Sequence, residues 1–200
     1  VRVKTEEKRD AILEAAKGVF LERGYGGASM AEVAARAGGS KQTLYSYFSS
    51  KEQLFVAVML ERGAPLFDAL LASFRDSPDL PSALREFAVA FLRLACTEEF
   101  LSFRRIVNAE GAKSNVGALF YEHGPRRFGE SLAERMQQAM DEGRMRRAEP
   151  TRAAVHLQAL CEAGPYQRLL EGALRTVADE ELVQAAEAAV EVFIRAYEVR

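Results

Sequence analysis

Lys41, Gln42, Thr43, Tyr45, Ser46 and Lys51 fall within eleven residues, and their side chains match what a nucleic acid presents. Glutamine pairs with adenine through two hydrogen bonds, threonine meets a thymine methyl, and lysine reaches guanine or phosphate. On a helix from Lys41 to about Phe48 these types lie on the outward or N-terminal part, where packing gives little reason to keep them. Lys51, close to the start of the next helix, sets a cation beside free backbone N–H groups and makes a seat for one phosphate.

The elements that must position this group are short. Ser29 with Glu32 three residues on forms a capping box that opens a helix through Ala37. Gly38-Gly39 break it, and Ser40 caps the next one. Two short helices joined by a glycine-containing turn make a helix-turn-helix, whose second helix enters the major groove. Ala34 is the small residue needed where the helices cross, and Gly38 supplies a positive φ. Val33, Ala37, Leu44 and Tyr47 fall where the apolar contacts belong. Gly39 stands where an apolar side chain is expected. Ahead of the motif, Ile12, Leu13, Ala16, Val19 and Phe20 mark a first helix from about Thr5 to Arg23, stopped by Gly24.

Helical periodicity continues to the C-terminal end, and β-alternation is missing, so the fold class is all-α with about nine helices. Ser50 starts a longer helix carrying Leu54, Phe55, Val58, Met59 and Leu66, kinked or interrupted at Pro65. Asp76 to Pro81 reads as a connection, and Ser82 as the cap of a helix with Leu84, Phe87, Phe91 and Leu94. Further helices are expected at about 98–108, at 116–143 with a bend at Gly124-Pro125, at 150–172 with a break at Gly164-Pro165, and at 179–197. The expected division is a DNA-binding domain over 1–50 and a larger helical domain over 51–200.

Composition agrees with a folded protein: 48% of the 200 residues are hydrophobic, 28% are charged, and only six are proline. The net charge of −2 hides an asymmetry. Through Lys51 the chain carries nine Lys/Arg against six acids, or +3, and the remainder carries −5. A basic head on an acidic body orients a duplex toward one end. No apolar run approaches the ~18 residues of a membrane span, and Val1 to Asp10 is charged, so a cytoplasmic protein off the membrane is expected. Cys96 and Cys161 fit no metal spacing and read as buried small hydrophobes, with a thiol sensor as the alternative. No phosphate loop, nucleophile elbow or His-Glu-x-x-His is present, and the two histidines, His123 and His156, lie on unrelated segments. The expectation is therefore no catalytic residue, metal or cofactor. A helical protein-interaction module is the competing class, but it does not require Lys41 to Lys51 arranged for a groove.

The run from Ile12 to Met59, and within it LYSYF-SSKE-LF most specifically, resembles the N-terminal domain of the TetR family of bacterial transcriptional regulators. The resemblance implies Lys41, Gln42, Thr43 and Ser46 near bases, and Tyr45, Tyr47 and Lys51 on phosphates. Ser29 completes the candidate DNA-contacting set. Two positions depart from the family pattern: Gly39 replaces a Val-like residue, and Gln42 stands where a small residue is frequent. The rest of the chain is loosely similar to multidrug-type and AefR-like members, which implies an effector pocket and a two-helix dimer face.

A pocket for a small apolar or amphipathic effector is expected among Phe67, Phe91, Phe103, Asn108, Phe120, His156 and Tyr166, with Phe74 and Phe87 as further aromatics. Each Phe also suits plain core, and His156 a satisfied core histidine. One short reading helix contacts too few base pairs alone, so a homodimer on double-stranded operator DNA is expected. Its face is read from Val183, Ala186, Val190, Phe193 and Tyr197 with Leu157 and Leu160 as half of a four-helix bundle. The same stripe also suits burial within one subunit.

Overall fold

Thr5 opens the first helix: its hydroxyl accepts the amide of Lys8 at 3.3 Å, and the chain is helical from there. The computed structural model describes residues 5–76 and 79–199, apart from the side chains at 62, 64, 66, 68 and 73–76. The expectations that rest on Leu66, Phe74, Ser77 and Pro78, and the charges of Arg2 and Lys4, lie outside the described residues. The described residues form eleven helices: α1 Glu6–Gly27, α2 Met30–Arg36, α3 Lys41–Tyr47, α4 Lys51–Asp76, α5 Leu80–Ala95, α6 Glu98–Glu110, α7 Val116–His123, α8 Pro125–Asp141, α9 Pro150–Glu162, α10 Pro165–Leu170 and α11 Asp179–Tyr197. The fold is all-α, with no strand among the described residues.

The chain forms two compact units, one from residues 1–63 and 102–124, the other from 64–101 and 125–200. In the first, α1 packs on α2 and α2 on α3. Their shared core gathers Ile12, Leu13, Val19, Phe20, Val33, Leu44, Leu54 and Phe55 with Phe103, Val107, Val116 and Phe120 from α6 and α7. Phe55 is its centre, with ring contacts to Phe20, Tyr25 and Phe103 at 5.0–5.5 Å. In the second unit, α5 packs on α11, α8 on α9, and α9 on α11. Arg93 of α5 joins Asp179 at the start of α11 through two hydrogen bonds of 2.6 and 2.7 Å.

Four local expectations change. The helix expected over 116–143 is two helices, because the backbone at Gly124 leaves helical geometry, with φ −119° and ψ −88°. A Cβ there would lie 2.9 Å from Leu60 and 3.1 Å from the Phe120 carbonyl, which explains a glycine at the corner. Pro65 does not interrupt α4, which is helical on both sides of it. The cap of α5 is Asp79 rather than Ser82: its carboxylate accepts the Ser82 amide at 3.0 Å. Gly24, with φ 67°, marks a kink after which helical residues run on to Gly27.

Cys161 is buried in the second core and Cys96 half-buried beside it. Burial pushes the Cys96 thiol up to about 11 and, with the neighbouring Glu162, that of Cys161 up to about 12. At pH 8 roughly one Cys96 in a thousand is then thiolate, the reactive form. Iodoacetamide is expected to leave both thiols unmodified in the native protein at pH 8 and to alkylate both in guanidinium, as counted by mass; rapid native alkylation contradicts this packing.

Candidate nucleic-acid interface

Seven residues make barely two helical turns, so α2 and α3 depend on how their ends are finished. Ser29 caps α2 by accepting the Glu32 amide at 3.2 Å. Glu32 does not complete the expected capping box; its carboxylate faces Arg23 at 3.4 Å and Arg36 at 3.8 Å. At the other end of α2, Gly38 takes a φ of 64°. Its amide donates to the Ala35 carbonyl at 3.1 Å and that of Gly39 to the Ala34 carbonyl at 2.9 Å. This paired 5→2 and 6→1 closure is a Schellman motif, and its left-handed residue favours glycine.

Ser40 then caps α3: its hydroxyl accepts the Thr43 amide at 3.0 Å and meets the Thr43 hydroxyl at 2.9 Å. Leu44, 1% exposed, anchors α3 against Val33 and Ala34 of the first core. Ala37 and Tyr47 pack against the same cluster, as their positions in the motif predict. The opposite face carries Lys41, Gln42, Tyr45 and Ser46, all exposed. Thr43, Tyr47 and Lys51 are half-buried, and Ser29 is exposed. The predicted contact residues on α3 therefore divide between an outer face and its edges, with Thr43 also serving the cap. Tyr47 has a second task, because its hydroxyl accepts the Thr5 amide at 2.9 Å.

The charges are distributed unevenly over this unit. Arg36 meets Glu22 through two hydrogen bonds of 2.7 and 2.8 Å, which holds the Glu22 carboxyl below its ordinary value. Arg23 faces Glu32, and Arg9 lies 3.6 Å from Glu61. Lys41 and Lys51 lie instead over aromatic faces, 5.9 Å from the Tyr45 ring and 4.4 Å from the Tyr25 ring. Partial burial lowers the Lys51 pKa, while Glu52 and Glu110 oppose that shift. Tyr25 is a partner that sequence reasoning missed: only the fold brings it under Lys51. Burial, and then the Glu52 carboxylate, push its hydroxyl up to about 12. Lys8 was missed as well. Its ammonium lies 2.6 Å from the Ala37 carbonyl, at the turn of the motif.

The other predicted sites are redistributed. Phe103 and Phe120 belong to the core of the first unit, with Asn108 exposed on the same helix pair. Phe67, Phe91 and Tyr166 belong to the second, where His156 is exposed and hydrogen-bonds the Tyr197 hydroxyl at 2.7 Å. In that unit the aromatic cluster is Phe67, Phe87, Phe91, Phe100 and Phe128, with Phe67 and Phe128 4.7 Å apart. Phe100 and Phe128 carried no signal in the sequence, because no periodicity links their helices. The stripe expected at a dimer face packs largely inside one chain. Leu157, Ala186, Val190, Phe193 and Tyr197 are buried within a single chain, and Leu160 and Val183 are half-buried. They join α9 and α11 to the rest of their own unit. The outward faces of the same helices expose Val155 at 56% and Val192 at 52%.

Known proteins resemble the chain along its whole length. The family model for bacterial regulatory proteins, tetR family, matches residues 12–58, and that for the AefR-like transcriptional repressor C-terminal domain matches residues 82–199. The structure of a TetR-family transcriptional regulator from Mesorhizobium loti MAFF303099 is 29% identical and superposes with a TM-score of 0.87 over 99% of this chain and 100% of that one. The Flavonoid-responsive Regulator FrrA is 30% identical, with a TM-score of 0.76 over 98% and 100%. The HTH-type transcriptional activator FasR of Mycolicibacterium smegmatis is 40% identical over 90 residues, 45% of this chain and 41% of that protein. The HTH-type transcriptional repressor BepR of Brucella suis biovar 1 is 36% identical over 101 residues, 49% and 48% of the two. The matched stretch thus spans less than half the length of either of these two relatives.

Ala34 is 4% exposed at the crossing of α2 and α3. Ala34→Leu is expected to destabilise the first unit by about 1–3 kcal/mol through overpacking, read as a lower thermal midpoint by circular dichroism. An unchanged midpoint would refute the close crossing.

Proposed function

Because the chain belongs to the TetR family of bacterial regulatory proteins, we propose that it is a DNA-binding transcriptional repressor that occupies a palindromic operator as a homodimer and leaves it when a small molecule binds. The observation that carries this reading is the exposed face of α3, with Lys41, Gln42, Tyr45 and Ser46 held outward by buried Leu44. In this reading Gln42 and Lys41 meet base edges, with Thr43 and Ser46 beside them. Tyr45, Tyr47 and Lys51 hold phosphates, and Ser29 lies at the edge of the same surface. Residues 1–50 bind DNA, and residues 51–200 bind the effector and the second subunit. The reading contains no catalytic step, and it places the protein in the cytoplasm with the DNA. No described helix is long and apolar enough to cross a membrane.

The effector is proposed to be apolar or amphipathic. Two features favour this: the phenylalanine cluster of the second unit, and the 30% identity to a flavonoid-responsive regulator over nearly the whole chain. Such a ligand releases DNA only if it binds the non-DNA conformation more tightly, so its effect is a difference between two affinities.

For the dimer we propose the outward faces of α9 and α11 around Val155 and Val192, which complete a four-helix arrangement with a second copy. Val192→Asp is expected to shift the protein from dimer to monomer in light scattering and to lower operator affinity at least tenfold, because one head makes half the contacts. A monomeric wild-type chain would overturn this part.

The test of DNA binding is a gel shift with the duplex flanking the protein's own gene. A specific complex that weakens steeply with salt is expected, and no preference over random duplex would favour a protein-interaction module instead. Gln42→Ala should change sequence preference, at a cost of about 1–3 kcal/mol on the preferred base, whereas Lys51→Ala should weaken all sequences alike and reduce the salt slope by about one. The reverse pattern would refute these roles.

A further inference from the structure

Lys8 lies in the first turn of α1, yet its ammonium acts on the turn before the reading helix. It donates to the Ala37 carbonyl at 2.6 Å and to that of Gly38 at 3.3 Å. These groups close α2, where backbone acceptors have no helical partner and the helix dipole favours a cation. The end of its stem covers Gly39: a Cβ built there would meet the Lys8 Cε and Nζ at 3.5 Å, in ordinary contact. Gly39 does not have a positive φ, so backbone conformation does not demand a glycine there. The end of the Lys8 side chain packs over this open side of Gly39.

The far end of the reading helix is tied to the same turn of α1. The Thr5 amide donates to the Tyr47 hydroxyl at 2.9 Å, and the Thr5 hydroxyl caps the amide of Lys8 at 3.3 Å. The turn that leads into α3 and the C-terminal end of α3 are thus both referred to one turn of another helix.

We propose that Lys8 is a positioning residue for DNA recognition: it packs over the open side of Gly39, clamps the carbonyls of the motif's turn, and so fixes how α3 is presented to the major groove. The inference rests on the DNA-binding reading above. Two of the three ammonium N–H groups serve the turn, which distinguishes Lys8 from a cation held out for phosphate. A β-branched side chain at 39 and the Lys8 stem compete for one space, so the two positions are coupled.

The experiment uses the full chain, a duplex that the wild-type protein selects from a randomised pool, and a random duplex of equal length. Lys8→Met keeps most of the stem and removes the ammonium. It is expected to lose about fivefold in affinity for the selected duplex, the size of one hydrogen bond, while random-duplex affinity and the salt slope stay unchanged. Lys8→Arg should restore most of the loss. Gly39→Val should weaken the wild-type chain but recover at least half of the loss caused by Lys8→Ala, giving a non-additive double-mutant cycle. Equal losses on both duplexes with a salt slope smaller by about one would show a phosphate contact and overturn the proposal. So would additive effects of Lys8→Ala and Gly39→Val. Should Lys8→Ala unfold the domain, retained selectivity in Lys8→Arg and its loss in Gly39→Val support the proposal, and the opposite result overturns it. A wild-type chain that selects no sequence overturns the DNA-binding reading itself, and the inference with it.

Discussion

A seven-residue α-helix is nearly all ends, and this constraint shapes the first unit. The first four amides and last four carbonyls of any helix lack partners inside it, so in α2 and α3 almost every backbone group must be answered from elsewhere. Ser29 and Ser40 answer amides, Gly38 folds the chain back so that two turn amides answer carbonyls, and Lys8 answers two more. Helix propensity contributes little at this length. The presentation of Gln42 and Tyr45 to solvent is therefore a property of the caps and of Leu44 beneath them, more than of α3 itself.

The two units solve different problems. The first gathers the 22-residue α1 and the seven-residue α2 and α3 around aromatic contacts at Phe55, and it carries the exposed polar face of α3. The second is built of helices whose apolar stripes are consumed internally: α11 buries Leu182, Ala186, Ala189, Val190, Phe193 and Tyr197. Its outer surface is left with smaller apolar residues such as Val155 and Val192.

Local chemistry made the reading head legible from sequence. Caps, a turn glycine and a small crossing residue act over three or four positions, and Ala34, Gly38, Ser40 and Leu44 occupy the places that the motif requires. What was not legible was whatever depends on partners distant in the chain. The stripe on α11 was equally compatible with a second copy and with α5 and α9; a helical period specifies a face but not its neighbour. Phe103 and Phe120 suited a pocket or plain core alike in the sequence, and they pack with Phe55 and its neighbours, more than forty positions away. Asp79 outcompeted Ser82 as a cap because both are good capping types, and only backbone geometry separates them. Lys8 was invisible for the same reason: nothing in a lysine near the start of a helix announces that its ammonium ends on a carbonyl at residue 37.

The pairing of Arg9, Arg23 and Arg36 with carboxylates bears on the protein's economy in a cell. A chromosome offers millions of incorrect sites, and each loose cation on a DNA-binding protein raises the fraction of molecules held on them. In the proposed reading, a head whose described arginines Arg9, Arg23 and Arg36 face carboxylates, on a chain of net charge −2, offers fewer loose cations to incorrect duplex. Fewer copies would then be held by the bulk of the genome, and a smaller pool of molecules would keep one control site filled.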